Sequence, residues 1–325
     1  MNKTRKITIN ILVFALIAGF GFYMIYSMMS EGEKMLSGER NADDALITPY
    51  KIINRLSTTS DIIKFDIYEN TIYAAQSGKI SVFDLAGKHQ HDFPLKNDIR
   101  DIIVRKSAIY LLYPTGIEVF TMKGEKIADW DACSDNSDYC AFSVTDDYVF
   151  VTDAENKLIT QFDQEGQLVR FIKSPAGFII PSYSFDIIVI NDTIYCSNSG
   201  RHTIETYTLE GEYITSFGTS GMQAGAFAGC CNPVYLAATP WGDIVTSEKG
   251  NPRISCYGQD GKFRSILLNS KVLGGGTEAY SVKMEDDKIY VAASKYLSVF
   301  VFDPELAAQS ACADCPLECP LKQFQ

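Results

Sequence analysis

Histidine is scarce in this chain: three in 325 residues, His89, His91 and His202. That removes most of the imidazoles with which a protein holds transition metals or moves protons near neutrality. His89 and His91, two apart, face one side of an outer strand, which is a weak metal pattern and reads as surface. Runs of Lys and Arg are also missing after the first few residues, and the net charge is −11. Nucleic-acid binding needs a basic face, so no nucleic-acid partner is expected. The chain has no nucleophile elbow, phosphate loop or ordered Ser/His/Asp set. Its acidic pairs, Asp153-x-Glu155 and Glu248-x-x-Asn251, belong to polar turns between strands.

What the chain does have is a repeat. Ile72–Asp84 (IYAAQSGKISVFD, then LAGK) returns as Ile109–Thr121 (IYLLYPTGIEVFT, then MKGE) and Val149–Asp163 (VFVTDAENKLITQFD, then QEGQ). It returns again as Ile194–Thr208 before LEGE, Asp243–Gly258 (DIVTSEKGNPRISCYG, then QDGK) and Ile289–Asp303 (IYVAASKYLSVFVFD, then Pro304). The aromatic before each turn falls at Phe83, Phe120, Phe162, Tyr207, Tyr257 and Phe302, with gaps of 37, 42, 45, 50 and 45 residues. Such a period, with several short strands per unit, marks a β-propeller and not a helical solenoid. Apolar residues alternate within each strand, and an Asp/Glu-Gly or similar turn leads to the outermost one. A blade cannot bury both faces alone, so neighbours stack around an axis and leave a central channel. The last copy lacks an outer strand, and an orphan strand, Tyr50–Leu56 (YKIINRL), precedes the first; it is expected to complete the sixth blade.

Phe217–Phe263, FGTSGMQAGAFAGCCNPVYLAATPWGDIVTSEKGNPRISCYGQDGKF, resembles the NHL repeat: the FG…G…G-x-F start, the G-[DN]-[IV] step, the GN-x-RI turn and the GK end. The fourth copy fits well; the first, second and sixth fit loosely. The resemblance implies a six-bladed propeller. Among NHL-like rings are protein-interaction modules, RNA binders, sensor domains of membrane proteins and a few metal-dependent lyases, and fold alone selects none of these. The lyases use histidines from several blades facing the channel; three histidines, none in an innermost strand, argue against that chemistry here.

The ends differ from the ring. Ile7–Met29 carries no charge over 23 positions, enough to cross a bilayer, and follows Lys3, Arg5 and Lys6. That charge bias predicts a cytoplasmic N-terminus and an external ring. No A-x-A site follows and the run is long for a signal peptide, so an uncleaved anchor is expected. No cysteine follows closely, so no lipid anchor is expected, and Arg5-Lys6 is not a twin-arginine export signal. The expected organisation is a cytoplasmic N-terminus (1–6), a transmembrane helix (7–29), a linker (30–46), an all-β six-bladed propeller (47–309) and a Cys-rich tail (310–325). The expected location is a bacterial inner membrane, single-pass, with the propeller in the periplasm.

Nine cysteines are present, an odd number. Cys196 and Cys256 lie within strands and read as small buried hydrophobes. Cys230-Cys231 stand in the channel-mouth loop Gly229–Pro233 (GCCNP, with Asn232), before the innermost strand of blade five. Aligning copies three and five through Thr152 and Thr246 sets Cys140 at the place of Val234 and Cys133 at that of Phe227. Cys133, Cys140, Cys230 and Cys231 then gather at one end of the ring. The tail carries Cys312-x2-Cys315-x3-Cys319-Pro320. It resembles the last three cysteines of a bacterial ferredoxin run, with Ala308 or Gln309 where the first would stand. Three tail thiolates with Cys230 or Cys231 would suit an iron–sulfur cluster or zinc. Disulfides compete with that reading, since loop cysteines in an oxidising compartment usually pair. Cys133 with Cys140 is one such pairing, and a vicinal Cys230–Cys231 bond needs a strained ring. Thiol–disulfide exchange is a third possibility and needs an exposed, low-pKa thiolate. The leading functional expectation is a protein-binding scaffold engaging an envelope or membrane protein; the alternative is an electron-transfer or metal-binding protein. A channel-mouth enzyme is the weaker rival and predicts charged side chains converging in the channel from several blades.

Overall fold

The computed structural model describes residues 48–309. The anchor Ile7–Met29, the linker and the tail with Cys312, Cys315 and Cys319 lie outside the described residues. Among the described residues no helix is long and apolar enough to cross a membrane.

Among the described residues, twenty-four strands form six four-stranded antiparallel sheets. β1 (Tyr50–Ser57) comes first. Blade one is β2 (Ile62–Tyr68), β3 (Thr71–Gln76), β4 (Lys79–Asp84) and β5 (His89–Pro94). Blade two is β6 (Asp101–Arg105), β7 (Ala108–Tyr113), β8 (Gly116–Thr121) and β9 (Lys126–Asp131). Blade three is β10 (Tyr139–Val144), β11 (Tyr148–Asp153), β12 (Leu158–Asp163) and β13 (Leu168–Ile172). Blade four is β14 (Ile187–Ile190), β15 (Thr193–Asn198), β16 (Thr203–Thr208) and β17 (Tyr213–Phe217). Blade five is β18 (Tyr235–Ala238), β19 (Ile244–Glu248), β20 (Arg253–Tyr257) and β21 (Phe263–Leu268). Blade six is β22 (Ser281–Glu285), β23 (Lys288–Ala293), β24 (Tyr296–Phe302) and, outermost, β1. β1 pairs antiparallel with β24, from Tyr50 opposite Phe302 to Ser57 opposite Tyr296, so the orphan strand closes the ring as expected.

The core lies between blades. Six buried clusters form, one at each interface, including Phe65–Tyr290 between blades six and one and Phe142–Trp130 between two and three. This is why the second and third strands of a blade are buried at nearly every position, polar residues included: both faces are covered. The recurrent aromatic marks a register shift. At Phe83, Phe120, Phe162, Tyr207 and Tyr257 the third strand meets a bulge beside the turn to the fourth. The turn glycine also lets the preceding blade approach: a Cβ on Gly166 (φ +80°) would lie 2.4 Å from the Trp130 ring.

Candidate functional site

The innermost strands, β2, β6, β10, β14, β18 and β22, each turn an edge toward the axis that no other strand pairs. Their backbone amides need other acceptors. Carboxylates from neighbouring blades supply several. Asp66 Oδ2 accepts from Val104 N at 2.8 Å, joining blade one to blade two. Asp186 Oδ2 accepts from Leu236 N at 2.8 Å, joining four to five, while its Oδ1 accepts from Ile187 N at 3.0 Å. Asp101 Oδ1 accepts from Ile102 N at 2.9 Å.

Two lysines neutralise most of this charge. Lys283 Nζ stands 3.1 Å from Asp66 Oδ1, and Lys64 Nζ stands 3.7 Å from Asp186 Oδ2 and 4.0 Å from the Tyr235 ring centroid. Burial pulls the Lys64 pKa down, but Asp186 and Asp101 outweigh it and hold the pKa above the ordinary lysine value. The same holds for Lys283, with Asp66 and Asp101 as the opposing charges. Burial is the largest influence on Asp101; with Asp186 it outweighs the lysines and pushes the carboxyl up to about 6. Charged groups from blades one, two, four and six therefore do converge in the channel. They are engaged with each other and with backbone, leaving a cavity of about 80 Å³.

Above this network the channel opens into a recess of about 400 Å³. All six blades contribute, through Ile63, Arg100, Cys140, Tyr183, Tyr235 and Glu278 among others. Lys64 belongs to both spaces, so its ammonium stands where the recess meets the plug. Two wall residues are aimed by bulges. The pairing of β2 with β3 skips Ile63, and that of β10 with β11 skips Cys140, so these extra residues leave the pleat. Tyr183 follows Ser182 through two successive left-handed residues (φ 56° and 57°), a costly backbone for non-glycine residues, and half its side chain stays exposed. The Arg100 guanidinium lies 5.8 Å from the Tyr183 ring centroid and 3.4 Å from Asp138 Oδ1. Lys249 and Glu278 also line the recess, on neighbouring connections joined by the Gly250 N to Thr277 O hydrogen bond (2.7 Å).

The GCCNP turn borders this recess. Gly229 takes a left-handed φ of +74°. Asn232, 1 % exposed, clamps the turn: its amide nitrogen donates to Ala228 O (2.6 Å) and Lys249 O (2.9 Å), and its oxygen accepts from Lys249 N (2.9 Å). Pro233 follows a cis peptide bond. The Cys230 and Cys231 Sγ atoms are 3.1 Å apart; Cys230 is exposed and Cys231 is buried. The hydrogen bond with Cys231, followed by burial, raises the Cys230 pKa. Burial also pushes Cys231 up, but hydrogen bonds with Lys249, Cys230 and Ser182 outweigh it and set that thiol below the usual range.

The expected register does not hold, because the pairing through Thr152 and Thr246 matches Ala141 with Leu236 and Tyr139 with Tyr235 and leaves Cys140 as an extra, bulged residue; Cys140 and Val234 nevertheless both line the recess. Cys140 donates its thiol to Asp138 O at 3.6 Å, and burial pushes its pKa up to about 12. Cys133 is exposed beside Tyr139, whose hydroxyl accepts from its backbone N–H at 3.2 Å, and does not line the recess. Both are free thiols, as are Cys196 and Cys256, which are buried in the sheets as expected. None of the three histidines borders the recess. His89 instead meets Asp92 Oδ1 at 2.8 Å on the outer strand β5. Among the described residues no three His, Cys, Asp or Glu stand together as a metal site.

Sequence reasoning missed the axial charges Lys64, Asp66, Asp101, Asp186 and Lys283. A signal was present for four of them: Lys64, Asp66, Asp186 and Lys283 interrupt apolar runs, as in IIKFDIY and SVKME, whereas Asp101 follows Arg100 in a polar stretch. A charge in such a position needs a partner, and the partner lies on another blade.

No protein-family model matches the chain, and no curated protein matches it. Solved structures do. As a fold, the chain is similar to virginiamycin B lyase. The Staphylococcus aureus enzyme is 14% identical, with 78% of this chain and 99% of that chain covered and a TM-score of 0.54. A streptogramin B lyase structure is 13% identical over 78% of this chain and 98% of that chain, with a TM-score of 0.57. A Bacteroides thetaiotaomicron protein of unknown function is 11% identical over 78% and 75%, also with a TM-score of 0.57. At this identity the similarity establishes the six-bladed ring and nothing finer.

Proposed function

We propose that this chain is an NHL-like binding propeller, tethered to a bacterial inner membrane by Ile7–Met29, its N-terminus cytoplasmic and its ring periplasmic. It takes an envelope or membrane protein on the channel-mouth face. One observation carries this reading. The mouth is an open recess of about 400 Å³ whose lining carries Arg100, Lys249 and the Asp186-paired Lys64 against one carboxylate, Glu278, on a protein whose net charge is −11. A local cationic hollow on an acidic body suits a carboxylate-bearing segment of a partner, which the rest of the surface repels. The axial acids and bases below are engaged with each other, which favours binding over chemistry at this site. Tyr183, half-exposed and aromatic, is the natural anchor of such an interface.

The test is capture from native membranes by full-length protein. Arg100→Glu and Lys249→Glu should each lose the captured partner, while Lys262→Glu, on an exposed turn, retains it. Equal capture by all three overturns the reading.

A second reading is favoured by the exposed Cys230 thiol at the same rim. The tail cysteines Cys312, Cys315 and Cys319, with Cys230 or Cys231, would bind an iron–sulfur cluster or zinc, giving an electron-transfer protein or a clamped tail. Metal content and visible absorption of anaerobically purified protein, compared with Cys312→Ser, decide it: stoichiometric metal lost in the variant supports this reading, and metal-free wild type removes it.

A further inference from the structure

The ring has a second hollow, on the face opposite the channel mouth. The recess residues Tyr235 and Ala279 stand at or just before the starts of β18 and β22. Trp241 and Asp286 follow the ends of the same two strands and line a groove of about 620 Å³. Its walls are aromatic. Tyr50 is buried, Trp241 and Phe302 are half-buried, and all three belong to the packing between blades five and six. Tyr50 and Phe302 meet edge to face, with ring centroids 5.8 Å apart. The rim is acidic. Asp286 and Asp287 are both exposed, and Asp287 has a loose contact with Lys288 at 3.6 Å.

The chain leaves the ring from the edge of this groove. Pro304, which also lines it, begins a short helix, Pro304–Gln309. Asp303 fixes the start of that helix. Its N–H donates to Pro49 O (2.8 Å), its Oδ1 accepts from the Glu305 and Leu306 amides (2.9 and 3.3 Å), and its Oδ2 pairs with Lys51 Nζ (2.7 Å). Sixteen residues follow Gln309, a reach of about 50 Å when extended, so length forbids no seat on the ring. Chemistry selects one. The tail contains Pro320-Leu321-Lys322-Gln323-Phe324. In a helical turn Leu321 and Phe324, three apart, share a face, and Pro320 suits the first position of such a turn. Lys322 is the sole cation after Lys295. Two apolar side chains and an ammonium match aromatic walls and two carboxylates, whereas Arg100 and Lys249 at the mouth repel Lys322.

We propose that residues 320–324 seat in this groove as an intramolecular strap, with Leu321 and Phe324 against Tyr50, Trp241 and Phe302, and Lys322 at Asp286 and Asp287. The seat straddles the ring closure: Tyr50 lies on β1 and Phe302 on β24, the pair that joins the two ends of the ring. The strap shields the aromatic walls from water and adds side-chain contacts across that pair. It is independent of whether the mouth binds a partner. It is exclusive of the metal reading, because a tail held on this face at Pro304 and again at Leu321 keeps Cys319 away from Cys230.

The test is cross-linking of the full chain with a water-soluble carbodiimide, which joins an amine directly to a carboxylate it touches. Trypsin places Asp286 and Asp287 in the peptide Met284–Lys288 and Lys322 in the segment following Lys295. Wild type should give a Lys322 link to Met284–Lys288, and a mixture of normal and heavy-nitrogen protein should give no hybrid peptide. Leu321→Glu with Phe324→Glu keeps Lys322 and should lower the yield of this link at least about tenfold, since two side chains lose their burial. Cys312→Ser, which breaks a metal-held tail, should keep the link. Thermal melts of every variant separate loss of the strap from loss of the ring. A Lys322 link to Glu278 at the mouth overturns the proposal, as does the absence of any link from Lys322. So do hybrid peptides, which assign the strap to a second copy, a link that survives the double substitution, and a link lost in Cys312→Ser.

Discussion

Asp101→Asn tests the charge network on the ring axis. Asp101 is buried among Lys64, Asp186 and Lys283, and its carboxyl is pushed up to about 6 from an ordinary value of 3.8. A carboxyl raised on folding binds its proton more tightly in the native state. Its contribution to stability is therefore complete below the unfolded value and is lost as pH rises through the folded one. Between about pH 8 and about pH 5 the gain is about 1.4 kcal/mol for a shift of this size. In a ring of this length that corresponds to about 3–5 °C in melting temperature. Asparagine keeps an oxygen for the Ile102 amide but has no proton to take up. The variant loses attraction to Lys64 at all pH values, so its absolute stability is not the readout. The readout is the difference between wild type and variant, measured by thermal melting of full-length protein at several pH values, where all other titrations cancel. Wild type should gain about 1.4 kcal/mol on the variant on going from about pH 8 to about pH 5. A difference that stays flat, or that moves toward the variant, refutes the assignment of a raised, buried Asp101.

Two further substitutions test the packing. Arg253 and Glu248 form a buried pair, with Nε to Oε1 at 2.8 Å and Nη2 to Oε2 at 2.9 Å. Glu248→Ala removes the counter-charge of the guanidinium, which keeps its bonds to the Met222 and Ala226 carbonyls, and should cost about 3–5 kcal/mol in urea unfolding; a loss below about 1 kcal/mol would mean water replaces the carboxylate freely. Gly166→Ala drives a methyl into the Trp130 ring, whereas Gly177 has a similar φ of +77° and open space around it. Both alanines carry backbone strain, so the excess loss at Gly166, about 1–3 kcal/mol by denaturant melts, measures the contact between blades two and three. Equal losses would show that backbone strain alone is at work.

The ring was legible because its rule is local. An aromatic ahead of a Gly turn recurs with each blade, and the turn requires that glycine wherever the preceding blade packs against it. Closure was legible from a mismatch between a strand too many at the start and one too few at the end. The channel-mouth end was legible through Cys140 and Val234, which both line the recess, although the bulge at Cys140 puts them out of register. The site itself was not. Asp66 and Lys283 are 217 residues apart in sequence, and their 3.1 Å contact exists only because the ring closes. Arg100, Tyr183 and Lys249 lie in three different connections and carry no shared motif. Alignment also placed Cys133 at that end of the ring; it stands beside Tyr139 at the start of β10 and does not line the recess. Connections vary in length from blade to blade, and strand register does not constrain them.

β1 is synthesised early and pairs late. Its partner β24 emerges only after five other blades have been made, which at about 5–20 residues per second leaves the first strand waiting roughly 10–50 s. During that time Leu56 has no core to enter and Ile52 and Ile53 have no sheet beneath them. The last event of folding is then a docking between the two ends of the ring, with most of the loop-closure entropy already settled by the blades between them. The same arrangement makes the clasp the ring's weak point: a cut between β1 and β2 leaves backbone contact between blades one and six to bonds such as that from Ile62 N to Ser294 O (2.8 Å).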